Sequence, residues 1–322
     1  MATISGQLKD SQIKGKPRDL MDLIFDVAPT DTPFLTMCGK SSASQTLHEW
    51  QTDTLADPGE NSALEGAEVT TFQASNTTEL SNKTQILTKA INVSGTAQAV
   101  DQAGVGKQYN YQLARRMKEL KKDVEFALLQ NKLERADNGS NQGRLMRGLP
   151  TWMQTNWNVG ASTGAIAVPS SKACTAGTAR VPDEATVKNV LTKIYESGGD
   201  PDRIMMAPGI RVKMSEVLNG GATRMENVDK KKATAVIDVY VSDFGTLKLM
   251  PNRVQAKVDY SKSCAFILDP QYWKVAYLRG FREERLAHTG DNMKGHIVVE
   301  CTLEARNDAS SGMIADLAVT AG

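Results

Sequence analysis

The stretch HEWQTDTLADPGENSALEGAEVTTF, residues 48–72, decides how the rest of the chain is read. It carries six carboxylates, Glu49, Asp53, Asp57, Glu60, Glu65 and Glu68, and no Lys or Arg; the nearest basic residues are Lys40 and Lys83. Its apolar side chains, Trp50, Leu55, Leu64, Val69 and Phe72, are too scattered to build a core. Connections inside compact domains usually run about 4–6 residues, so an acidic excursion of this length needs a purpose. A strand-like segment over 46–55 enters it, and DPGEN at 57–61 is turn chemistry. The return strand reads best in TQILTKAINVSG at 84–95, where Leu87, Ile91 and Val93 share one face. The result is a two-stranded ribbon, and two strands alone are marginal in water. It needs a surface to lie on.

The next segment offers one. QYNYQLARRMKELKKDVEFALLQNKLERA predicts a long helix over 106–135, with Leu113, Met117, Leu120, Val124 and Leu128 in one apolar stripe. From 107 to 135 there are eight basic and four acidic residues, a local excess of +4. Arg115, Arg116, Lys118, Lys121 and Lys122 carry most of it. Solvation is the ordinary fate of a charged helix face. Here a ribbon with seven carboxylates between Glu49 and Glu79 shares the chain, so the two surfaces are candidates for pairing, within one subunit or between neighbours.

Around these two elements the order is α+β. Residues 1–17 are polar and aperiodic; Leu20, Leu23, Ile24 and Val27 then fit a short amphipathic helix stopped by Pro29. A second short helix starts at TDTPF, with Asp31 or Thr32 as N-cap and Pro33 near its first position. The span 138–180 is rich in Gly, Ala, Ser and Thr and reads as loop, flanked at its start by Trp152 and Trp157. Beyond it, DEATVKNVLTKIYESGG is a helix with Val187, Val190, Leu191 and Ile194 inward. RIMMAP is a buried strand, IRVKMSEVLN a helix, and AVIDVYVSDFGTLKLMPN a hairpin turning at Ser242, Asp243 and Gly245. CAFILDPQYWKVAYLRG supplies two strands, and the tail a long one over 297–305 and a short closing one. Helices mix with antiparallel strands, without regular βαβ units.

Composition narrows the function. The 322 residues are 40% apolar and 23% charged with net charge +1, so no global field gathers the chain onto nucleic acid or membrane. No apolar run approaches the roughly 18 residues of a membrane helix, and the start lacks a signal peptide's apolar centre. Cys38, Cys174, Cys264 and Cys301 lie far apart, as in a cytosolic protein with reduced thiols. AGVGKQYN at 103–110 lacks phosphate-loop spacing, and His288, His296 and Asp291 suit no metal site. His48, beside Glu49 and Trp50 in the ribbon, has no pocket in which to act as a base. DKKK at 229–232 reads as a solvated loop, weak evidence for DNA contact. No catalytic, cofactor or metal constellation stands out.

Several segments resemble the major capsid proteins of tailed bacteriophages, with the HK-ninety-seven-like fold shared by herpesvirus shells. They are LIFDVAPTDTPFLTMCG, HEWQTDTLADP, NKTQILTKAINVSGTAQAV, QLARRMKELKKDVEFALLQN and RLMRGLPTWMQTN, in order over about 20–157, with VVECTLEARNDASSGMIADL resembling the closing strands. The resemblance implies an amino-terminal arm at 1–45 and an extended ribbon loop at 46–90 that reaches over a neighbour. It implies a peripheral domain at 91–180 and 277–322, built on the spine helix, and an axial domain at 181–276. Its partners would be copies of itself in hexamers and pentamers, packaged double-stranded DNA met without sequence readout, and scaffolding, portal and decoration proteins, with no membrane. Assembly would occur in the host bacterial cytoplasm, and the product would be the virion. The alternatives are a nanocompartment shell of the same fold and, from another class, an α+β hydrolase with carboxylates converging in space.

Two departures matter. Nothing before residue 20 resembles a cleavable scaffolding domain. Some members of the fold lock their shells by an isopeptide bond between a loop lysine and an asparagine, but the ribbon from 41 to 82 has no lysine and Lys83 sits at its base. Denaturing electrophoresis of mature particles is therefore expected to give one monomer band; a ladder above it would refute this.

Overall fold

The computed structural model describes residues 30–56, 58–66, 68, 72, 74, 76–100, 105–160, 173–219 and 239–319. The expected helix at 20–27 and the basic run at 229–232 lie outside them. The helices are α1 (Pro33–Met37), α2 (Gly95–Ala99), α3 (Gln108–Leu129), α4 (Leu149–Trp152), α5 (Glu184–Glu196) and α6 (Pro208–Asn219). The strands are β1 (Gly39–Ser42), β2 (Leu47–Thr52), β3 (Thr78–Lys83), β4 (Gln85–Ser94), β5 (Asn156–Asn158) and β6 (Arg203–Met206). They continue with β7 (Val239–Ser242), β8 (Gly245–Pro251), β9 (Ala265–Leu268), β10 (Trp273–Arg285), β11 (Asn292–Ala305) and β12 (Gly312–Ile314).

These strands form a four-stranded sheet β1-β10-β11-β4, a six-stranded sheet β5-β12-β9-β6-β8-β7 and the two-stranded ribbon β2-β3. The α+β class holds, although the sheets are mixed: β1–β10, β5–β12 and β6–β8 pair in parallel. The ribbon's return strand differs from expectation. TELSNK pairs with LHEWQT, whereas QILTKAINVS joins β11 in the four-stranded sheet. The apolar face that singled out β4 is the reason: Ile91 and Val93 are buried, and Leu87 packs against the same core.

The stripe on α3 is as expected. Leu120, Val124 and Leu128 are fully buried, and Leu113 and Met117 pack at the edge of the same core. The helix ends at Leu129 instead of running to 135, with Gln130 already extended. Tertiary contacts override local propensity there. Gly148 passes so close that a Cβ on it would lie 1.9 Å from the Gln130 carbonyl oxygen, and Asn131 grips the Cys174 backbone through both its amide atoms.

A second core lies under α5 and α6, where Val187, Val190, Leu191, Ile194, Ile210 and Met214 meet Ile204, Met206, Leu247 and Leu249. The six-stranded sheet separates it from the first. Side chains on a strand alternate between faces, and β9 shows the consequence: Phe266 and Leu268 enter the core under α3, while Ala265 and Ile267 enter the one under α5. One four-residue strand, buried on both faces, ties the two cores together.

Glu125 sits on the inner face of α3, and nothing in the periodicity announces its role. It is fully buried, and its carboxylate accepts hydrogen bonds from the Phe34 amide at 2.9 Å, the Leu35 amide at 2.7 Å and Asn252 Nδ2 at 2.7 Å. Thr32 occupies the N-cap position of α1 as read from sequence, but its side chain makes no capping bond. The spine helix caps α1 instead. Burial pushes the Glu125 carboxyl above the usual range, against the lowering effect of its three donors. In the folded state this group therefore holds a proton at pH values where the unfolded chain, at about 4.3, has released it. Its contribution to stability is fullest at the acid end and falls as pH rises through the raised value. Glu125→Gln removes this dependence and leaves a donor facing donors, at a cost of about 1–3 kcal/mol. Thermal melts of both proteins from pH 4.5 upward should show the gap between them narrowing as pH rises; a constant gap would contradict the assignment.

Candidate assembly surface

The surface is built outward from the root of the ribbon, which is held by a strand whose two faces differ. On β11, Ile297, Val299, Cys301, Leu303 and Ala305 belong to the apolar core with α3. Glu300, Thr302 and Glu304 alternate with them and are also buried. A carboxylate taken out of water must be paired or it is costly. Glu300 accepts from Thr84 Oγ1 at 2.8 Å and Arg279 Nε at 2.7 Å, and it pairs with Arg144. Glu304 accepts from Ser41 Oγ at 2.5 Å and Arg306 Nε at 2.6 Å, with His48 Nε2 3.3 Å away. Burial works against both charges, yet these donors hold both carboxyls below the usual range, Thr84 and Arg279 foremost at Glu300 and Ser41 and Arg306 at Glu304.

Backbone contacts complete the mount. Asn82, at the foot of β3 and fully buried, donates to the Leu303 carbonyl at 2.7 Å and accepts from the Arg147 amide at 2.8 Å. Trp50 on β2 donates its indole N–H to the Ala305 carbonyl at 2.9 Å and packs on Trp152, with ring centres 5.5 Å apart. Arg147 lies over the other ring of that pair at 4.0 Å. Lys83 meets Glu134 at 3.2 Å. Sequence reading missed Asn82, Glu300 and Glu304. The available signal was two glutamates alternating with apolar residues on one closing strand.

Beyond the root, the acidic positions are exposed. Glu49, Asp53, Glu60, Glu65 and Glu68 make no ion pair within the chain among the described residues, and Asp57 lies outside them. Between them Leu55, Leu64 and Phe72 are 96%, 84% and 86% exposed. On α3, Arg115 and Arg116 share Glu119 at 3.5 and 2.5 Å, Lys118 and Lys121 are exposed, and Lys122 is half-buried. Among the described residues, no ion pair joins Glu49, Asp53, Glu60, Glu65 or Glu68 to Arg115, Arg116 or Lys121 within one subunit.

The four thiols offer no nucleophile: all are buried, and burial pushes each of them above its ordinary value. His288 is held by the Asn292 carbonyl at 2.7 Å, and His296 lies 3.3 Å from Glu284. Among the described residues no three metal-ligating side chains cluster, and no helix is long and apolar enough to cross a membrane.

A rooted ribbon, a long helix against a four-stranded sheet and a second mixed sheet make up an HK-ninety-seven-like fold. The family model described as SU10 major capsid protein matches residues 3–318, and the chain belongs to that family. It is similar to a major capsid protein of Escherichia phage Phieco32, 27% identical over 335 residues that cover 93% of this chain and 94% of that one. Among solved structures, the capsid of a native GTA particle matches with TM-score 0.60 at 12% identity, covering 96% of this chain and 97% of that one. The holo-SrpI encapsulin complex of Synechococcus elongatus PCC 7942 matches with TM-score 0.55 at 10% identity, covering 98% and 97%. Fold alone does not separate a phage shell from a nanocompartment. The family match does.

Replacing the root asparagine tests the mount. Asn82→Ala strands the Leu303 carbonyl and the Arg147 amide, and is expected to cost about 1–3 kcal/mol. Urea unfolding should show the loss, and trypsin should cut at Lys83 sooner than in the unaltered protein.

Proposed function

We propose that copies of this phage major capsid protein close into an icosahedral shell of hexamers and pentamers around double-stranded DNA, with the ribbon of each copy lying across the spine helix of the next. The ribbon's exposed surface supports this reading: five carboxylates with no ion pair among the described residues and three large apolar side chains left almost wholly exposed. Magnitudes divide the labour. An exposed ion pair contributes about 0–1 kcal/mol, whereas burying one Leu or Phe contributes about 1.5–3 kcal/mol. Leu55, Leu64 and Phe72 would supply most of the affinity. Glu49, Asp53, Glu60, Glu65 and Glu68, with Asp57, would set approach and register against Arg115, Arg116, Lys118, Lys121 and Lys122 of a neighbour. Many such weak contacts, repeated by symmetry, make a closed particle.

Under this reading the peripheral domain comprises 91–180 and 277–322 and the axial domain 181–276. Because strand β4 pairs with β11, this reading extends the peripheral domain back to residue 84 and shortens the extended loop to roughly 46–83. The chain acts as a structural component without catalytic, cofactor or metal role. It assembles in the host bacterial cytoplasm, where scaffolding, portal and decoration proteins are its further partners. Its near-neutral charge of +1 suits a lining that must not grip DNA tightly.

Electron microscopy with sedimentation tests this. The purified protein should form closed shells, or rings of five and six, and particles from infected cells should contain DNA; protein cargo in its place would favour a nanocompartment. Glu65→Lys with Glu68→Lys should lower particle yield most at low salt. Unchanged yield and salt resistance would remove the electrostatic part of the contact.

A further inference from the structure

Among the described residues, the two large sheets end in short strands at every margin except one. The outer strands β1, β5 and β7 have four, three and four residues, whereas β4 has ten. Its pairing with β11 runs from Gln85 to Ser94 without a bulge, and it contains no proline. Its one lysine, Lys89, is tied to Asp123 at 2.8 Å. A long, regular, unguarded edge is a template for another strand.

The register shows which groups that edge offers. The Gly95 amide donates to the Asp291 carbonyl at 3.1 Å, one step beyond the pair Ser94 and Asn292. Bonded and non-bonded pairs alternate in an antiparallel ladder, so the N–H and C=O groups of Ile86, Thr88, Ala90 and Asn92 point away from β11. Among the described residues none of these groups has a backbone partner. A groove of about 310 Å³ runs beside them, lined by residues 90–94 and by Gln108 and Gln112 on α3. Gln108 Oε1 is shielded from water and finds no donor among the described residues. The arginine of the groove, Arg116, is already paired with Glu119 at 2.5 Å, so the site offers backbone and not charge.

We propose that residues 53–56 of a second copy add to this edge as a fifth strand. The assignment deepens the shell reading and rests on it. The sequence is strand-like through residue 55, but β2 loses its partner after Thr52, which pairs with Thr78. Residues 53–56 then run on without strand pairing, and Leu55 is 96% exposed. One copy therefore carries strand-like chain with no ladder, and the other a ladder edge with no strand. Four added residues cover about 13 Å of β4. Leu55 turns toward α3 in this arrangement and covers the margin of Ile91 and Val93.

Hydrogen exchange of the full chain, as free subunits and as particles, tests the edge. The Ala90 and Asn92 amides should exchange about tenfold more slowly in particles. Particles in which they exchange as in the free subunit would overturn this docking and leave the shell reading standing; no particles at all would remove both. Ala90→Pro deletes an outward N–H without touching the β11 ladder, a change that edge strands tolerate. It should leave the subunit's thermal melt in place and cut particle yield; an unchanged yield would count against the added strand. Cysteine pairs identify the occupant, since the four native cysteines are buried. Asn92→Cys with Thr54→Cys, or with Leu55→Cys, should give dimers linked between chains on oxidation. A link within one chain, or slowed exchange with neither link formed, would place a different segment on the edge and overturn the assignment.

Discussion

Two carboxylates buried on β11 constrain the rest of the molecule. A strand alternates its faces, so a sequence that places Glu300 and Glu304 between Val299, Cys301, Leu303 and Ala305 sends apolar groups to α3 and charge to the opposite side. Charge on that side is tolerable only where cations and hydroxyls converge on it. Ser41, His48, Thr84, Arg144, Arg279 and Arg306 come from six separate places along the chain to meet that need. The first of these lies on β1, the second on β2, and the third follows β3, so the ribbon leaves the body at a fixed place. A hydrophobic substitute could pack as tightly. It would not set register in the same way, because apolar contacts are non-directional.

The second constraint is the shared sheet. β9 contributes alternate residues to the core under α3 and the core under α5, and β6 does the same through Met205 on one side and Ile204 and Met206 on the other. Movement of one core relative to the other would open both faces of these strands. Interiors pack at near-crystalline density, so such an opening would be expensive. A subunit built this way presents the ribbon from a stiff base. In the proposed assembly, where each contact is weak, that stiffness would limit the conformational entropy lost at each contact.

The ribbon illustrates the division between a fold and its assembly. Its root is tied to the body by hydrogen bonds through Trp50 and Asn82, and farther out Leu55, Leu64 and Phe72 lie almost wholly in water. A monomer gains nothing from that exposure. A neighbour's surface would convert it into affinity, which is why membership of a capsid family and the shape of this arm agree.

Local physics was legible in the sequence. The stripes on α3 and α5, the hairpin β7–β8, the strand β9 and the Pro33 start of α1 all follow from periodicities and turn residues within a single stretch of chain, whereas the turn expected at 57–61 is not formed at 58–61, and Asp57 lies outside the described residues. The tertiary structure decided what depends on residues far apart. TELSNK became the ribbon's return strand although no apolar pattern marks it, because β2 pairs with it and Asn82 locks its foot. Helix α3 stopped at Leu129 where Gly148 and Cys174 crowd the next residues. Glu125, Glu300 and Glu304 looked like ordinary surface carboxylates in sequence. Their burial was set by partners up to 263 residues away, and hydrogen bonds of that kind leave no periodic trace.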